Sequence, residues 1–321
     1  MSEILAGRST PALTAALLVA LRMKGETTAE VTGFASAMRA SALAVIPAKT
    51  PPERLVDTCG TGGDGGSTFN VSTAAALVVA GAGLAVAKHG NRSISSRCGS
   101  ADVLEALGVH VGLDARQAAE SIDTIGIGFL FAPAMHPAMR YAGPVRGELG
   151  LRTVFNMLGP LTNPAGAAVQ VMGVYEDRIV PLAAAALARL GARRALVVHG
   201  SDGMDEITVA GPTRYAEVRD GAVRNGTLGP GDFGLPVSGP AGLAGGDAAE
   251  NAAAIRAVLA GRRGPARDIV VINSAAAIRM AGLARNWSDA ASIAAESVDS
   301  GAAAAKLEQL AELSQRLAGR A

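Results

Sequence analysis

The stretch TCGTGGDGGSTFNVSTAAALVVAGA (58–82) leaves a short apolar run, crosses a cluster of glycines and becomes an Ala/Val/Leu-rich helix. Such a loop brings backbone N–H groups close to a negatively charged ligand. Gly60, Gly62 and Gly65 satisfy G-x-G-x-x-G, the dinucleotide fingerprint. That reading requires an acidic residue at the end of the following strand to bind a ribose hydroxyl. The following strand, LAVAKHG (84–90), carries Lys88 there instead, which suits phosphate. STFN (67–70) also separates the glycines from the helix, and no lysine follows them in the G-K-[ST] register of a nucleoside triphosphate loop. The stretch predicts a phosphate cradle of another kind.

Strands and helices alternate on both sides of it. RLVDTCG (54–60), LAVAKHG, GFLFA (128–132), AVQVMGVY (168–175), RALVVHG (194–200) and DIVVIN (268–273) read as strands. Helices are expected over 71–82, 100–107, 179–190 and from an Asp114/Gln117 cap, with Leu307, Leu310, Leu313 and Leu317 forming an amphipathic closing helix. Asp220-Gly221 is a hairpin signal, so part of the sheet is antiparallel. Thr10 with Pro11 opens one N-terminal helix, and a Thr27/Glu30 capping box opens a second through Met38. PAKTPPERL (47–55) reads as a linker. HPAMRYAGPVRGELG (136–150), helical with a proline break, is placed beside the N-terminal helices. The expectation is an α/β fold: a mixed, mostly parallel central sheet flanked by helices, with a small all-helical domain. The helical domain is 1–48, completed by 137–160; residues 49–136 and 161–321 form the α/β phosphate-binding domain.

Composition narrows the function. Lys plus Arg number 29 against 28 Asp plus Glu, a balance that argues against a nucleic-acid or membrane-surface binder. Met1-Ser2-Glu3 starts no basic leader, no apolar run is long enough to span a bilayer, and two cysteines make no disulfide framework. A cytoplasmic setting is expected. Around the glycine loop, the helix N-terminus at NVST (70–73) adds a positive dipole end, Lys88 a full charge, and HGNRSISS (89–96) an arginine and three serines. Two strand-end loops with this many anion donors point to more than one phosphate. Asp205-Glu206, just past the strand in HGSDGMDE (199–206), is a candidate magnesium pair. His110, His136 and His199 lack metal-ligand spacing and are read as structural, as are both cysteines.

GTGGD (60–64), NVST (70–73), KHGNRSISS (88–96), GSADVLEALG (99–108), FAPAMHPAMRYAGPVRGELGLRTVFNMLGPLTNP (131–164), VVHGSDGMDEIT (197–208) and INSAAAIRMAG (272–282) together resemble the anthranilate phosphoribosyltransferase family. The resemblance runs from about Ala16 almost to the end of the chain. It implies transfer of the phosphoribosyl group of 5-phosphoribosyl 1-diphosphate to the amine of anthranilate, in tryptophan biosynthesis, by a homodimer using Mg2+. Carried over by motif, Gly60, Gly63, Asp64, Thr68, Asn70, Val71, Ser72 and Thr73 would hold the sugar diphosphate. Lys88, His89, Gly90, Asn91, Arg92, Ser93, Ile94, Ser95, Ser96 and Ser100 would complete that site. Gly60, Asn91 and Arg146 would meet anthranilate, with Arg146 supplying a planar fork for its carboxylate. Ser72, Asp205 and Glu206 would serve magnesium. Lys88, His89 and Arg146 are the catalytic candidates, His89 either as a late proton acceptor or as a hydrogen-bonding wall. The chain departs from the family pattern in its short opening MSEILAG, at Cys59 and Cys98, and at Gly147, where a second basic residue is usual. No fused glutamine-hydrolysing domain is expected. Two rivals remain: a nucleoside phosphorylase of the same fold, which would not need the acidic pair, and a nucleic-acid-binding relative, which would need a basic groove.

Overall fold

The computed structural model describes residues 1–63, 68–93 and 97–320. Asp64, Ile94, Ser95 and Ser96, named above as site candidates, lie outside the described residues. The described strands are β1 (Leu55–Gly60), β2 (Ala85–Gly90), β3 (Ile127–Phe131), β4 (Val169–Gly173), β5 (Arg194–Gly200), β6 (Thr213–Arg219) and β7 (Ala222–Leu228). They form one sheet in the order β3-β2-β1-β4-β5-β6-β7, parallel through β5 and antiparallel from there. Asp220 and Gly221, both at positive φ (49° and 83°), make the tight turn that joins β6 to β7.

Side chains alternate along each parallel strand, and each face has its own core. Val56, Val86, Phe129, Val171, Leu196 and Val198 pack under the helices Val71–Gly81, Pro265–Ala281 and Ala302–Ala318. On the other face Met172, Ala195 and Val197 meet the helix Ile179–Arg189 and the helices Pro11–Lys24, Thr28–Ala40 and Gly143–Leu149. Leu55, Ala87 and Leu130 join a third cluster with Ala118 and Ile122. Leu18, Leu21, Val31 and Met38 share a cluster with Val145, Phe155 and Leu158, so the segment after β3 packs on the N-terminal helices. Three expected caps form. Thr10 Oγ1 accepts the Leu13 N–H, and the Thr27/Glu30 and Asp114/Gln117 boxes both close.

Two expectations need correction. DIVVIN is not a strand: it lies inside the helix Pro265–Ala281, which Pro265 starts and left-handed Gly282 stops. This helix is buried nearly all round, from Ile269 to Ile278, and a continuous apolar run carries no period by which to tell strand from helix. The opening MSEILAG holds a further turn of helix, Ser2–Leu5, which buries Ile4 and Leu5 against the helical cluster.

The strand order reverses at the β1/β4 boundary. The chain runs outward through β2 and β3, then returns to add β4 and β5 on the other side. Crevices for ligands open at such a point, beyond the carboxyl ends of the strands.

Candidate active site

The switch-point crevice is a cavity of about 590 Å³. Every described candidate lines it: Gly60, Gly63, Thr68, Asn70, Val71, Ser72, Thr73, Lys88, His89, Gly90, Asn91, Arg92, Ser93, Ser100, Arg146, Asp205 and Glu206. Met38, His136, Met139, Arg140, Phe155 and Asn156 line it too, and the sequence reading assigns none of these to the site. His136 is thus a site residue and not merely the structural one its spacing suggests. Its position follows from the short helix Ala132–Met135 turning back over the end of β3, which no spacing rule announces.

Glycines let the acidic loop reach this floor. Gly60 and Gly173 are register partners at the ends of β1 and β4. A Cβ on Gly60 would stand 2.5 Å from Asp205 Oδ2, and one on Gly173 would stand 2.5 Å from the Asp205 carbonyl carbon. Only bare backbone at both positions seats Asp205 over the strand ends. Asp205 Oδ2 then accepts the Gly62 N–H at 2.7 Å, which ties the acidic loop to the glycine loop. The preceding residue is fixed by β4: Thr61 N–H donates to the Gly173 carbonyl at 2.9 Å, and Tyr175 N–H donates to Thr61 Oγ1 at 3.1 Å.

Lys88 is buried beneath the loop. Its Nζ donates to the Thr58 carbonyl at 2.5 Å and reaches Ser72 Oγ at 3.4 Å. A buried ammonium needs compensation, and Asp57 lies fully buried beside it on β1. Burial pushes the Asp57 carboxyl up, while the Lys88 charge, the Asn163 amide (2.8 Å) and the His89 N–H (3.3 Å) oppose that shift. Burial likewise pushes the Cys59 thiol far up, and Gln170 Nε2 donates to its sulfur at 3.0 Å, as befits a packing residue.

The second loop is held by its own carboxylates. Asp102 accepts the Ser93 and Gly99 N–H groups at 3.0 and 2.8 Å. The Arg92 guanidinium is engaged by Asp102 at 3.0 Å and by both oxygens of Glu105 at 2.6 Å. The charge expected to face phosphate is therefore already paired on this rim. The Asn70 side chain does not cap its own helix. It donates to the Cys98 carbonyl at 3.1 Å and accepts from Asn251 at 2.9 Å, pinning three segments together. The Val71 and Thr73 N–H groups go to the Phe69 and Asn70 carbonyls.

Part of the lining is apolar. Met38, Pro133, Pro137, Met139 and Phe155 form walls, and the Arg146 guanidinium sits 5.1 Å from the centre of the Phe155 ring. The rings of His89 and His136 lie 5.1 Å apart, each with a buried Nε2 that finds no partner among the described residues. Burial lowers the His89 pKa to about 3, helped by the neighbouring His136 and Lys88 charges, and that of His136 to about 4. Both rings are neutral at pH 7. Burial penalises the charged form of each ring, so both present neutral hydrogen-bonding nitrogens to the cavity.

Among the described residues no three His, Cys, Asp or Glu side chains cluster as a metal site. Asp205, Glu206 and Ser72 give two carboxylates and a hydroxyl on one cavity. That hard-oxygen set fits Mg2+, which keeps waters and shares substrate oxygens instead of filling its shell from protein. No described helix is long and apolar enough to cross a membrane.

Comparison with known proteins gives consistent results. Residues 52–304 match the family model for the glycosyl transferase family a/b domain, and residues 1–42 match that family's helical bundle domain. The anthranilate phosphoribosyltransferase of Moorella thermoacetica is 57% identical over 310 residues, covering 97% of this chain and 91% of the relative. The crystal structure of the Thermus thermophilus enzyme of that name superposes with a TM-score of 0.91 at 45% identity, covering 98% of this chain and 93% of that one. The Saccharomyces cerevisiae enzyme in complex with PRPP and Mg superposes with a TM-score of 0.87 at 30% identity, covering 95% and 86%.

Proposed function

The chain belongs to the anthranilate phosphoribosyltransferase family, and from that premise we propose how its cavity divides the work. The reaction joins the amine of anthranilate to the ribosyl carbon of 5-phosphoribosyl 1-diphosphate, giving N-(5-phosphoribosyl)anthranilate and diphosphate in tryptophan biosynthesis. The observation that carries the division of labour is the polarity of one cavity. Glycine loop, Lys88 and the acidic pair at the strand ends line the same cavity as Arg146 and a set of apolar side chains.

The sugar diphosphate sits on the floor, against the 60–63 and 68–73 segments, Lys88 to Ser93 and Ser100. Mg2+, held by Asp205, Glu206 and Ser72, would neutralise charge on the departing diphosphate. The acidic pair separates this reading from a phosphorylase, which has no diphosphate to neutralise. Anthranilate lies between Met38, Pro133, Met139 and Phe155, with its carboxylate forked by Arg146 and its edge toward Gly60 and Asn91. Its amine is neutral at pH 7 and attacks without prior deprotonation. The chain's part is then to align amine and ribosyl carbon and to stabilise the charge that separates as the bond to diphosphate loosens toward an oxocarbenium-like state. The neutral rings of His89 and His136 offer hydrogen bonds there without adding a competing cation.

A homodimer operating in the cytoplasm completes the proposal. Leu13 and Leu17 share one face of an N-terminal helix and are 65% and 37% exposed, with Met23 at 83%, which favours a covered surface. Cys59 and Cys98 are buried and form no disulfide, in keeping with a reducing compartment.

The test is the loss of anthranilate fluorescence on mixing protein, anthranilate and phosphoribosyl diphosphate with Mg2+, repeated with a chelator. Rapid loss that the chelator stops supports reaction and metal together. No loss with folded protein sinks the assignment.

A further inference from the structure

Three consecutive loop residues are anchored by three different elements. β4 and its exit hold Thr61 through the Gly173 carbonyl and the Tyr175 N–H, and Asp205 holds the Gly62 N–H. The third anchor is Arg152, which follows the helix Gly143–Leu149 and donates from Nη2 to the Gly63 carbonyl. The Arg152 guanidinium lies 4.7 Å from the centre of the Tyr175 ring, and the Arg152 carbonyl accepts from Arg22 Nη1 at 2.7 Å. Arg152 does not line the cavity, whereas Gly63 does.

We propose that Arg152 is a positioning residue for the sugar diphosphate: it draws the Gly63 carbonyl to the outer side of the glycine loop and holds it there. The proposal rests on the assignment of that loop to phosphoribosyl diphosphate. A carbonyl oxygen turned inward would set a partial negative charge against the diphosphate. Gly63 sits at positive φ (85°), in a region where glycine moves freely between conformations, so its peptide needs an outside partner to stay put. Arg152 supplies a charged donor, and its ring contact with Tyr175 fixes the guanidinium at the β4 exit. Through the Arg22 bond, the helix Pro11–Lys24 is linked to the same loop. Arg152 touches no substrate in this scheme and acts only through Gly63.

Arg152→Ala is expected to raise KM for phosphoribosyl diphosphate about tenfold, the scale of one charge-assisted hydrogen bond, with KM for anthranilate unchanged at saturating co-substrate. Arg152→Lys, which keeps a donor but not the fork, should recover part of the loss. A ligand-free readout separates this proposal from the assignment of function. Hydrogen exchange in the peptide from β1 through Gly63 should quicken in Arg152→Ala and return toward wild type in Arg152→Lys, whatever reaction the protein performs. Unchanged exchange with unchanged KM overturns the proposal. So does an equal loss for both substrates with a lowered melting temperature, which would make Arg152 a general stabilising contact. Wild-type protein that is inactive yet shows the exchange difference would overturn the functional assignment and leave the anchoring standing.

Discussion

Gly173→Ala tests whether backbone packing places the acidic pair. The added Cβ would overlap the Asp205 carbonyl oxygen outright and stand 2.5 Å from the carbonyl carbon, with the Asp205 Cα at 3.3 Å. Non-bonded carbons settle at about 3.5–4.0 Å, so the 201–206 turn has to back away by about 1 Å or more. No flexible side chain can absorb this, because the clash is backbone against backbone. Backing away stretches the 2.7 Å bond from Gly62 N–H to Asp205 Oδ2 and carries both carboxylates off the floor of the cavity. A misplacement of about 1 Å at reacting groups costs about 100-fold in rate. The expected result is a fall of that order in kcat/KM and a higher Mg2+ concentration for half-maximal rate. Overpacking should lower stability by about 1–3 kcal/mol, so the assay is run well below the variant's melting temperature. Gly173 lines no part of the cavity, so the effect has to pass through Asp205 or through the Thr61 N–H held by the Gly173 carbonyl, and only the first route shifts the Mg2+ titration. A folded Gly173→Ala protein with kcat/KM within threefold of wild type, and an unchanged Mg2+ titration, would refute the argument.

The remaining predictions use the same assay beside thermal or urea unfolding. Gly33→Ala, in mid-helix with open space around it, should raise stability by about 0.5–1 kcal/mol and leave the rate alone; lowered activity would mean that this helix face carries a function. Asp205→Asn with Glu206→Gln should abolish the Mg2+ response at little cost to folding, and a retained response would move the metal elsewhere. Lys88→Ala should lower kcat/KM by about 100-fold or more, and some stability goes with it, because the Lys88 charge opposes the upward push that burial gives the Asp57 carboxyl. His89 and His136 have folded-state pKa values near 3 and 4, below the ordinary 6.5, so the unfolded chain binds more protons between those limits. Their contribution to stability is full above about pH 6.5 and is lost as pH falls toward 4; urea midpoints at pH 7 and pH 5 should show this, and His89→Gln with His136→Gln should flatten it.

How much of this was legible follows from how local each signal is. Caps at Thr10, Thr27 and Asp114 depend on residues three apart, and all three form as expected. The Asp220-Gly221 turn is equally local. Lys88 was legible as a cation at a strand end because β2 places it there. The helix Pro265–Ala281 was not, since its apolar run has no exposed face to show a period. His136, Phe155 and Asn156 reach the cavity only because the chain after β3 folds back over the strand ends, a long-range event without a local mark. Arg92 was legible as a site residue but not as a paired one: Glu105, thirteen residues on, reaches it through the next helix. Arg152 was missed for a related reason, since its partner Gly63 lies 89 positions earlier.

The cations around the cavity differ in what each must give up to meet an anion, and this difference orders the site. Burial lowers the Arg146 pKa, its guanidinium faces the Phe155 ring in a contact of about 0.5–2 kcal/mol, and among the described residues no carboxylate lies within ion-pair distance of it. It can fork a carboxylate almost without rearrangement, which suits a small, singly charged ligand. Arg92 must be drawn from two carboxylates, so it answers only to a ligand with more charge than they offer, which a diphosphate has. Lys88 cannot leave at all, because it is buried on the Thr58 carbonyl; its charge acts from beneath the floor. A cavity lined by a fixed cation and a lightly held one offers two kinds of contact to an anion. That difference supports the proposed division, with the sugar diphosphate near Lys88 and the carboxylate of anthranilate on Arg146.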